Sequence, residues 1–310
     1  MDAIARIRKL AKTKLKTVVL PEFNDERVTE AAKIINAEGL AKAVLFTPDM
    51  VDKNELERYI QEFYGQHRAK DMDLDAVRKL FTCDTLYYTA MMTAEGKFDG
   101  LVAGASHTTP DMVRASMRCL GIDERITIVS SCFIMDVPDC PYGDNGTFLF
   151  ADCGVIPEPN GRQLACIALS AAELANKVLG LEPRIAFLSY STKGSAKTKS
   201  AEKIAEALVL LKEMAPNLLA DGELQVDAAI VPEVAKIKYP DSLVGGKANV
   251  LIFPNLEAGN IGYKLTQRMS GARAVGPLLL GLKKPASDLS RGCITEDVVD
   301  CVAVSAIRAQ

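Results

Sequence analysis

Three residues near the end of the chain have the types and the spacing for transfer chemistry. Ser290 and Arg291 are adjacent in the segment Asp288-Leu-Ser-Arg-Gly292, and Asp297 follows the serine by seven residues. A hydroxyl can donate or accept a hydrogen bond, a guanidinium fork suits phosphate oxygens, and a carboxylate can accept a proton. This set favours group transfer on an anionic substrate. On local spacing alone, a helix cap is the simpler account of the serine and the glycine, and a functional site is the alternative.

A candidate binding segment lies between a predicted strand and a predicted helix, at Ser189-Tyr-Ser-Thr-Lys-Gly-Ser195. The hydroxyls of Ser191 and Thr192, the ammonium group of Lys193 and the N–H groups of a helix N-terminus could together bind an anion. The glycine spacing is wrong for a Walker A loop. A simple helix cap with an exposed lysine remains the alternative.

The segment 104–114 also follows a predicted strand and begins a predicted helix, with Thr108 or Thr109 near the N-cap,. Ligands of open α/β sheets collect beyond the carboxyl ends of strands. His107 could therefore act as a base and Arg114 could reach an anion. A structural histidine and a solvated arginine are the simpler interpretations of either residue by itself.

Two further segments carry carboxylates. The residues Pro21-Glu-Phe-Asn-Asp-Glu-Arg27 follow a strand, and their acidic side chains are typical of a first helical turn, which favours a structural role,. The residues 221–232 predict a glycine turn that leads into a buried strand at Val226–Val231, with Asp227 at its start,.

The elements that must position these residues alternate along the chain. Strands are predicted at 17–21, 43–48 and 100–104, helices at 27–38, 86–96 and 111–120,. A long strand at 126–135 and a hairpin partner at 147–151 follow. A second series then has helices at 162–180 and 196–214 and strands at 185–189 and 249–253, and the latter leads into a loop rich in glycine and asparagine at 256–264. Strand–helix–strand order predicts an α/β fold with mostly parallel sheets.

The composition limits the class of protein. A chain of 310 residues suggests one large or two medium domains, and 48% hydrophobic residues without tryptophan are typical of buried parallel strands,. The net charge is −3, so no global positive field predicts binding to nucleic acid or to a membrane surface,. Eight cysteines without a C-x-x-C pair, and two histidines, predict reduced core thiols and no metal site,. The N-terminus lacks an apolar signal core, so we expect a cytoplasmic protein.

Taken together, several segments resemble the phosphate acetyltransferase (phosphotransacetylase) family in its short, single-module form. The matching segments cover nearly the whole chain: Gly104-Ala-x-His-x-Thr with Arg114, Leu188-Ser-x-Ser-Thr-Lys-Gly-Ser-Ala196, Asp221-Gly-Glu-Leu-Gln-x-Asp-Ala-Ala229 with Val231-Pro232, Ala248–Pro254, Ala258-Gly-Asn-Ile-Gly-Tyr-Lys264, Gly276-Pro277 and Asp288-Leu-Ser-Arg-Gly292. So many long segments in the same order make a chance similarity very unlikely.

The resemblance implies two three-layer α/β domains like those of isocitrate and isopropylmalate dehydrogenases. The first would comprise residues 1–126 and 278–310, the second would be inserted as residues 127–277, and the active site would lie in a cleft. The implied reaction is acetyl-CoA + phosphate = acetyl phosphate + CoA, with no tightly bound cofactor. The family is usually homodimeric.

The resemblance also implies roles for particular residues. Ser290 and Arg291 match the family's active-site pair, and Asp297 matches its proposed base. Arg114 and Arg68 match anion-binding arginines, although the residues around Arg68 depart from the usual basic stretch. We expect further substrate or CoA contacts from the segment around Lys193 and from Asn260 and Tyr263.

The implied base has an energetic difficulty. A thiol pKa of about 8.5 and an aspartate pKa of about 3.9 make full proton transfer uphill by roughly 6 kcal/mol. Either burial raises the pKa of Asp297, or Arg291 stabilises the thiolate, or attack and proton transfer overlap.

Three alternatives remain on the sequence. The first is an enzyme of the same type that uses butyryl-CoA. Each additional methylene of the acyl chain contributes only about 1–3 kcal/mol to the discrimination between substrates. A dehydrogenase of similar fold would need a dinucleotide fingerprint, and none is evident. A non-catalytic CoA-binding protein would bind CoA without turnover.

Overall fold

The computed structural model describes residues 3–67, 72–193 and 199–310. The helices are α1 Ala3–Ala11, α2 Glu26–Glu38, α3 Lys53–His67, α4 Leu74–Cys83, α5 Leu86–Ala94, α6 Thr109–Cys119, α7 Gly161–Leu179, α8 Lys199–Met214, α9 Val226–Ile230, α10 Pro232–Lys238, α11 Leu256–Ser270 and α12 Thr295–Arg308, with a 3₁₀ turn at Pro48–Met50. The strands are β1 Thr17–Leu20, β2 Lys42–Leu45, β3 Gly100–Ala103, β4 Ser130–Asp136, β5 Thr147–Ala151, β6 Arg184–Leu188, β7 Leu219–Leu224, β8 Val250–Ile252, β9 Arg273–Leu280 and β10 Ala286–Asp288.

The chain divides into two compact units. The terminal unit comprises Arg8–Ile122 and Leu282–Gln310, and the inner unit comprises Asp123–Gly281 with the described part of Met1–Ile7. Most strand pairs in both units are parallel, so the predicted α/β class with mostly parallel strands is confirmed.

The strands of the terminal unit follow the order β2-β1-β3-β10, and every pairing among them is parallel. Parallel strands end at the same edge of a sheet, so the loops that follow β1, β3 and β10 meet at one edge. Two of these loops contain residues that the sequence analysis selected, and the third contains Glu22.

The last helix, α12, is the main support beneath this sheet. Its residues Val298–Ile307 are all buried, as expected for a helix that is apolar on most faces,. The carboxylate of Asp300 is fully buried and accepts a hydrogen bond of 2.8 Å from Nε of Arg8, which satisfies its charge,. Asp297 lies in the first turn of α12, so a well-packed helix fixes its position.

The inner unit has the strand order β9-β4-β5-β8-β6-β7. Strand β4 is antiparallel to both β5 and β9, and the remaining pairs are parallel. The hairpin predicted for residues 126–135 and 147–151 is confirmed, although β4 begins only at Ser130. Thr127, with φ of 65°, lies outside extended geometry and precedes the strand.

The predicted strand Val226–Val231 is wrong, and so is the predicted turn before it. Residues Val226–Ile230 form helix α9, and the supposed glycine turn is strand β7. A short apolar run does not distinguish a strand from a buried helical turn. Strand β7 accommodates its carboxylates because Asp221 and Glu223 find tertiary partners, which local propensity does not register,.

The glycine- and asparagine-rich loop predicted for residues 256–264 is also wrong, because helix α11 runs through it. The side chain of Asn255 caps this helix by accepting from the N–H of Ala258 at 3.0 Å,. A Cβ atom at Gly259 would overlap the carbonyl oxygen of Asp152. The glycine therefore permits a close approach of the helix rather than a turn.

Two helical glycines provide a matched test of this packing. We expect Gly259→Ala to destabilise the protein by about 1–3 kcal/mol, because the added methyl group must displace backbone. We expect Gly65→Ala in α3, where a Cβ meets nothing within 4 Å, to stabilise it by about 0.5–1 kcal/mol,. Urea unfolding measures both changes, and equal shifts for the two variants would contradict this account.

Candidate active site

A buried carboxylate organises the sheet edge of the terminal unit. Glu22 follows β1, and its oxygens accept hydrogen bonds from the backbone N–H groups of Gly104, Ala105, Ser106 and His107 at 2.8–3.0 Å. The Ser106 hydroxyl donates to the same carboxylate at 2.9 Å, and Nδ1 of His107 lies 2.7 Å from it. The loop after β3 is thereby wrapped around one side chain.

The charges of this group are mutually stabilised. Burial by itself would raise the pKa of Glu22, but the hydrogen bonds from His107 and the loop N–H groups lower that pKa to about 2,. The carboxylates of Asp84 and Glu22 raise the pKa of His107 to about 10. His107 is therefore a cation at neutral pH, and the interpretation of this residue as a general base is not supported.

Arg27 connects the Glu22 loop to the predicted catalytic turn. Its guanidinium donates to the carbonyl oxygens of Arg291 at 2.8 Å, of Cys293 at 3.0 Å and of Ala105 at 3.0 Å. The carboxylate of Asp25 holds the other side of the guanidinium, at 2.6–2.9 Å. One arginine thus joins loops from three strands.

Ser290 and Arg291 lie in this connected turn, immediately after β10. Both residues are exposed, and the Ser290 hydroxyl oxygen accepts only the N–H of Gly292, at 3.2 Å, among the described residues. The Arg291 guanidinium makes no ion pair or hydrogen bond within residues 3–67, 72–193 and 199–310. A fixed backbone therefore presents an unpaired cation to an approaching anion.

Asp297 begins the helix that follows the turn. One of its carboxylate oxygens accepts the N–H of Ile294 at 3.0 Å, which caps α12. The residue is half-buried. The structure brings Ser290, Arg291 and Asp297 into one turn and the first helical turn after it.

Arg114 projects from α6 beside a pocket of about 580 Å³. Its guanidinium pairs with Asp111 at 2.6 Å and stays half exposed. Cations surround the pocket, as Lys79, Arg118 and the His107 imidazolium also line it against two carboxylates. Thr108 caps α6, as predicted. Arg68 lies outside the described residues.

The predicted contacts of the inner unit already have protein partners. Buried Ser191 donates to Glu223 at 2.8 Å, and Oγ1 of buried Thr192 accepts the N–H of Gln225 at 3.1 Å. Lys193 forms an ion pair of 2.9 Å with Asp221.

Asn260 and Tyr263 both lie on α11. The Asn260 amide donates to the carbonyl oxygen of Cys153 at 3.1 Å. The Tyr263 ring is buried and stacks on Phe133 with 4.0 Å between ring centroids. Both side chains thus contribute to the packing of the helix against the sheet of the inner unit.

The described residues contain no group of three or more histidine, cysteine, aspartate or glutamate side chains that could hold a metal ion. No helix among them is long and apolar enough to cross a membrane. All eight cysteines are free thiols.

Sequence analysis missed the organising roles of Glu22 and Arg27. Both were interpreted as parts of an ordinary first helical turn. The position of these residues in the chain gave a clue, because residues 21–27 follow a strand directly, as segments 104–114 and 289–294 do. What the sequence did not show was that parallel pairing brings the three segments to one edge.

The edge of the parallel sheet in the terminal unit thus carries an arginine that is unpaired among the described residues, a serine and a half-buried aspartate, a set of side chains that suits an anionic substrate,. Comparisons with known proteins specify the class. Residues 2–306 match the family model described as "Phosphate acetyl/butaryl transferase". The chain belongs to this family of transferases.

Individual relatives agree with this assignment. The chain is 46% identical to a phosphate acetyltransferase from Acetivibrio thermocellus, over 100% of this chain and 99% of that protein, and 43% identical to one from Thermoanaerobacterium thermosaccharolyticum, over 100% of both. A solved phosphotransacetylase from Streptococcus pyogenes superimposes with a TM-score of 0.89 at 35% identity, and covers 99% of this chain and 98% of its own. The resemblance stated from the sequence is confirmed.

Arg27 provides a test of the connected turn. We expect Arg27→Met to lower kcat/KM for thiol acylation about 10–100-fold, because losing three carbonyl contacts lets the Ser-Arg turn shift by a fraction of an ångström. The matched control is Lys33→Met on the exposed side of the same helix, whose ion pair with Glu30 is solvated,. Equal activity of the two variants would show that the turn does not need Arg27.

Proposed function

We propose that this transferase moves an acetyl group reversibly between coenzyme A and inorganic phosphate by direct attack in a ternary complex. The observation that carries the proposal is the unpaired Arg291 guanidinium beside Ser290, on a turn whose carbonyl groups Arg27 holds. Direct attack needs reactants held in position and charge neutralised, without a covalent enzyme intermediate.

Each residue of the turn has a separate part in the proposal. Arg291 binds the phosphoryl oxygens, because its planar fork matches their geometry. Ser290 hydrogen-bonds the acetyl carbonyl oxygen or the thiol. Asp297 accepts the thiol proton as the sulfur attacks the carbonyl carbon, and the carbon–oxygen bond to phosphate breaks with its electron pair on the phosphate.

The pocket beside Arg114 supports the binding of CoA, which is a polyanion. Four cationic side chains line this pocket against two carboxylates, so its net charge attracts phosphate groups,. The remaining proposed contacts with substrate or CoA are made by Arg68, Ser191, Thr192, Lys193, Asn260 and Tyr263. Neither a resident metal ion nor a tightly bound cofactor is part of the proposal.

The acetyl group is proposed as the acyl substrate in preference to butyryl. In support, the relatives with 43–46% identity are named as phosphate acetyltransferases. A branched-chain phosphotransacylase from Enterococcus faecalis shares the fold, with a TM-score of 0.69, at only 21% identity. A protein that only binds CoA remains the alternative of a different class, and turnover distinguishes it.

Phosphate-dependent release of free thiol from acetyl-, propionyl- and butyryl-CoA tests the proposal. We expect the highest kcat/KM for acetyl-CoA. Arg291→Ala and Asp297→Asn should fold normally and each lose about 10²–10³-fold in kcat, since both act on charge that develops during the reaction. The control Arg125→Ala removes an exposed arginine whose ion pairs are with Asp123 and Glu173, and its activity should not change. Wild-type protein that binds CoA without releasing thiol would refute the proposal.

We also propose that the protein is a cytoplasmic homodimer. Reduced cysteines are typical of the cytosol, and all eight here are free,. Helix α11 carries an exposed apolar stripe, in which Ile261, Leu265 and Met269 are 57%, 52% and 82% exposed at a spacing of four residues. Such a stripe is typical of an isologous helix–helix contact.

Light scattering coupled to gel filtration tests the dimer. We expect Leu265→Glu to shift the protein from dimer to monomer, because a charge in an apolar contact must be desolvated. Leu15→Glu is the matched control, since Leu15 is 61% exposed and belongs to the terminal unit rather than to the apolar stripe of α11. A wild-type monomer would contradict this part of the proposal, and so would a dimer that survives Leu265→Glu.

A further inference from the structure

A second carboxyl group lies beneath the catalytic turn and has no assigned role. Asp288 is the last residue of β10, where it pairs in register with Ala103, and the N–H of Leu289 donates to the carbonyl oxygen of Ala103 at 2.6 Å. Ser290 follows directly. Asp288 is therefore the last residue that the sheet holds before the catalytic turn begins.

The side chain of Asp288 is enclosed on all sides. It is 0% exposed, and an ideal Cβ atom at Gly104 would lie 2.5 Å from Oδ1 of Asp288. Gly104 has φ of 116°, a conformation that favours glycine,. Glycine at this position thus makes room for the carboxyl group next to the loop that Glu22 organises.

No N–H group donates to either carboxyl oxygen of Asp288, and no group makes a hydrogen bond of good geometry with them, in the part of the chain that the structure describes. The Thr109 hydroxyl on α6 interacts with the carboxyl group only weakly and lowers its pKa less than burial raises it. Glu22 is different, because it accepts hydrogen bonds from the backbone N–H groups of Gly104 and the three residues that follow it. Buried carboxylates without donors are rare in folded proteins, and each calls for a functional explanation.

Three charged groups act on Asp288. Glu22 after β1 disfavours its ionisation, while His107 after β3 and Arg291 after β10 favour it. Burial has the largest effect, and the pKa of Asp288 is raised to about 6,. Arg291 forms no ion pair with this carboxyl group, so the guanidinium stays available to substrate.

We propose that Asp288 is a positioning residue that takes up a proton when the anionic substrate binds Arg291, and so removes the repulsion between a buried carboxylate and the bound anion. The proposal rests on the proposed function, because it assumes that Arg291 binds the phosphoryl group. A substrate dianion beside a carboxylate disfavours the ionised carboxylate, so binding and protonation of Asp288 are thermodynamically coupled.

The sign of the coupling determines the pH dependence. Below about pH 6, Asp288 already carries its proton, and an anion binds without further cost,. As the pH rises above 6, the proton must be acquired on binding, and affinity falls by up to tenfold for each unit by which the bound anion raises the pKa of Asp288. An asparagine at this position has the same shape, mimics the protonated acid and cannot titrate.

The experiment compares the wild-type enzyme with Asp288→Asn by calorimetric titration with inorganic phosphate between pH 5.5 and 8. The ionisation of phosphate itself affects both proteins equally and cancels in the ratio of dissociation constants. We expect the ratio of wild-type to variant Kd to rise about tenfold across this range. In kinetics, the variant should show a KM for acetyl phosphate that depends less on pH, with kcat within about threefold of wild type.

Asp297→Asn is the matched control, because it removes the other carboxylate near the turn. We expect it to lose turnover but to keep the wild-type pH dependence of phosphate binding. A wild-type enzyme with thiol-release activity whose phosphate affinity parallels that of Asp288→Asn at every pH would overturn the inference and leave the proposed function intact. Absence of activity in the wild type would refute the proposed function instead.

A second measurement does not depend on the variant. Infrared difference spectra of the wild-type enzyme at pH 7.5 should show a protonated-carboxyl band that appears on addition of phosphate. If the spectra show no such band while calorimetry shows binding, the proton uptake assigned to Asp288 does not occur.

Discussion

The ionised Glu22 carboxylate is the constraint on which the rest of the site depends. Four consecutive backbone N–H groups have no partner in regular structure at this point of the loop after β3, and one buried side chain accepts all four,. The same carboxylate holds His107 as a cation. Without this group, the loop that Arg27 connects to the Ser290-Arg291 turn would lose the acceptor of four backbone N–H groups.

The inner unit uses the same device at a different place. Buried Asp152 follows β5 and accepts the N–H groups of Ser131, Gly154, Val155 and Ile156, together with the Ser131 hydroxyl. Each unit therefore fastens a loop at the end of a strand with one carboxylate. A charge-assisted network of this kind is stable only when nearly every oxygen lone pair has a donor.

Asp288 differs from both of these carboxylates because it is buried and no N–H group donates to its oxygens among the described residues. The difference separates two uses of the same functional group. The hydrogen bonds that Glu22 accepts outweigh its burial, lower its pKa to about 2 and keep it ionised, whereas burial without N–H donors raises the pKa of Asp288 to about 6,. A carboxyl group of the second kind suits the anion-binding role that we propose for Arg291.

The sequence by itself determined the α/β class, most of the helices and strands and the family, because these depend on periodicity and on residues that are close in the chain. It also predicted the Ser290-Arg291 turn as the candidate catalytic segment. It was wrong about α9, β7 and the start of α11, where partners distant in the chain decide between short alternatives. Only the tertiary structure revealed Glu22, Arg27 and Asp288 as parts of the candidate site. Arg27 contacts a residue 264 positions away, and parallel pairing, which places the ends of β1, β3 and β10 at one edge, is what creates that contact,.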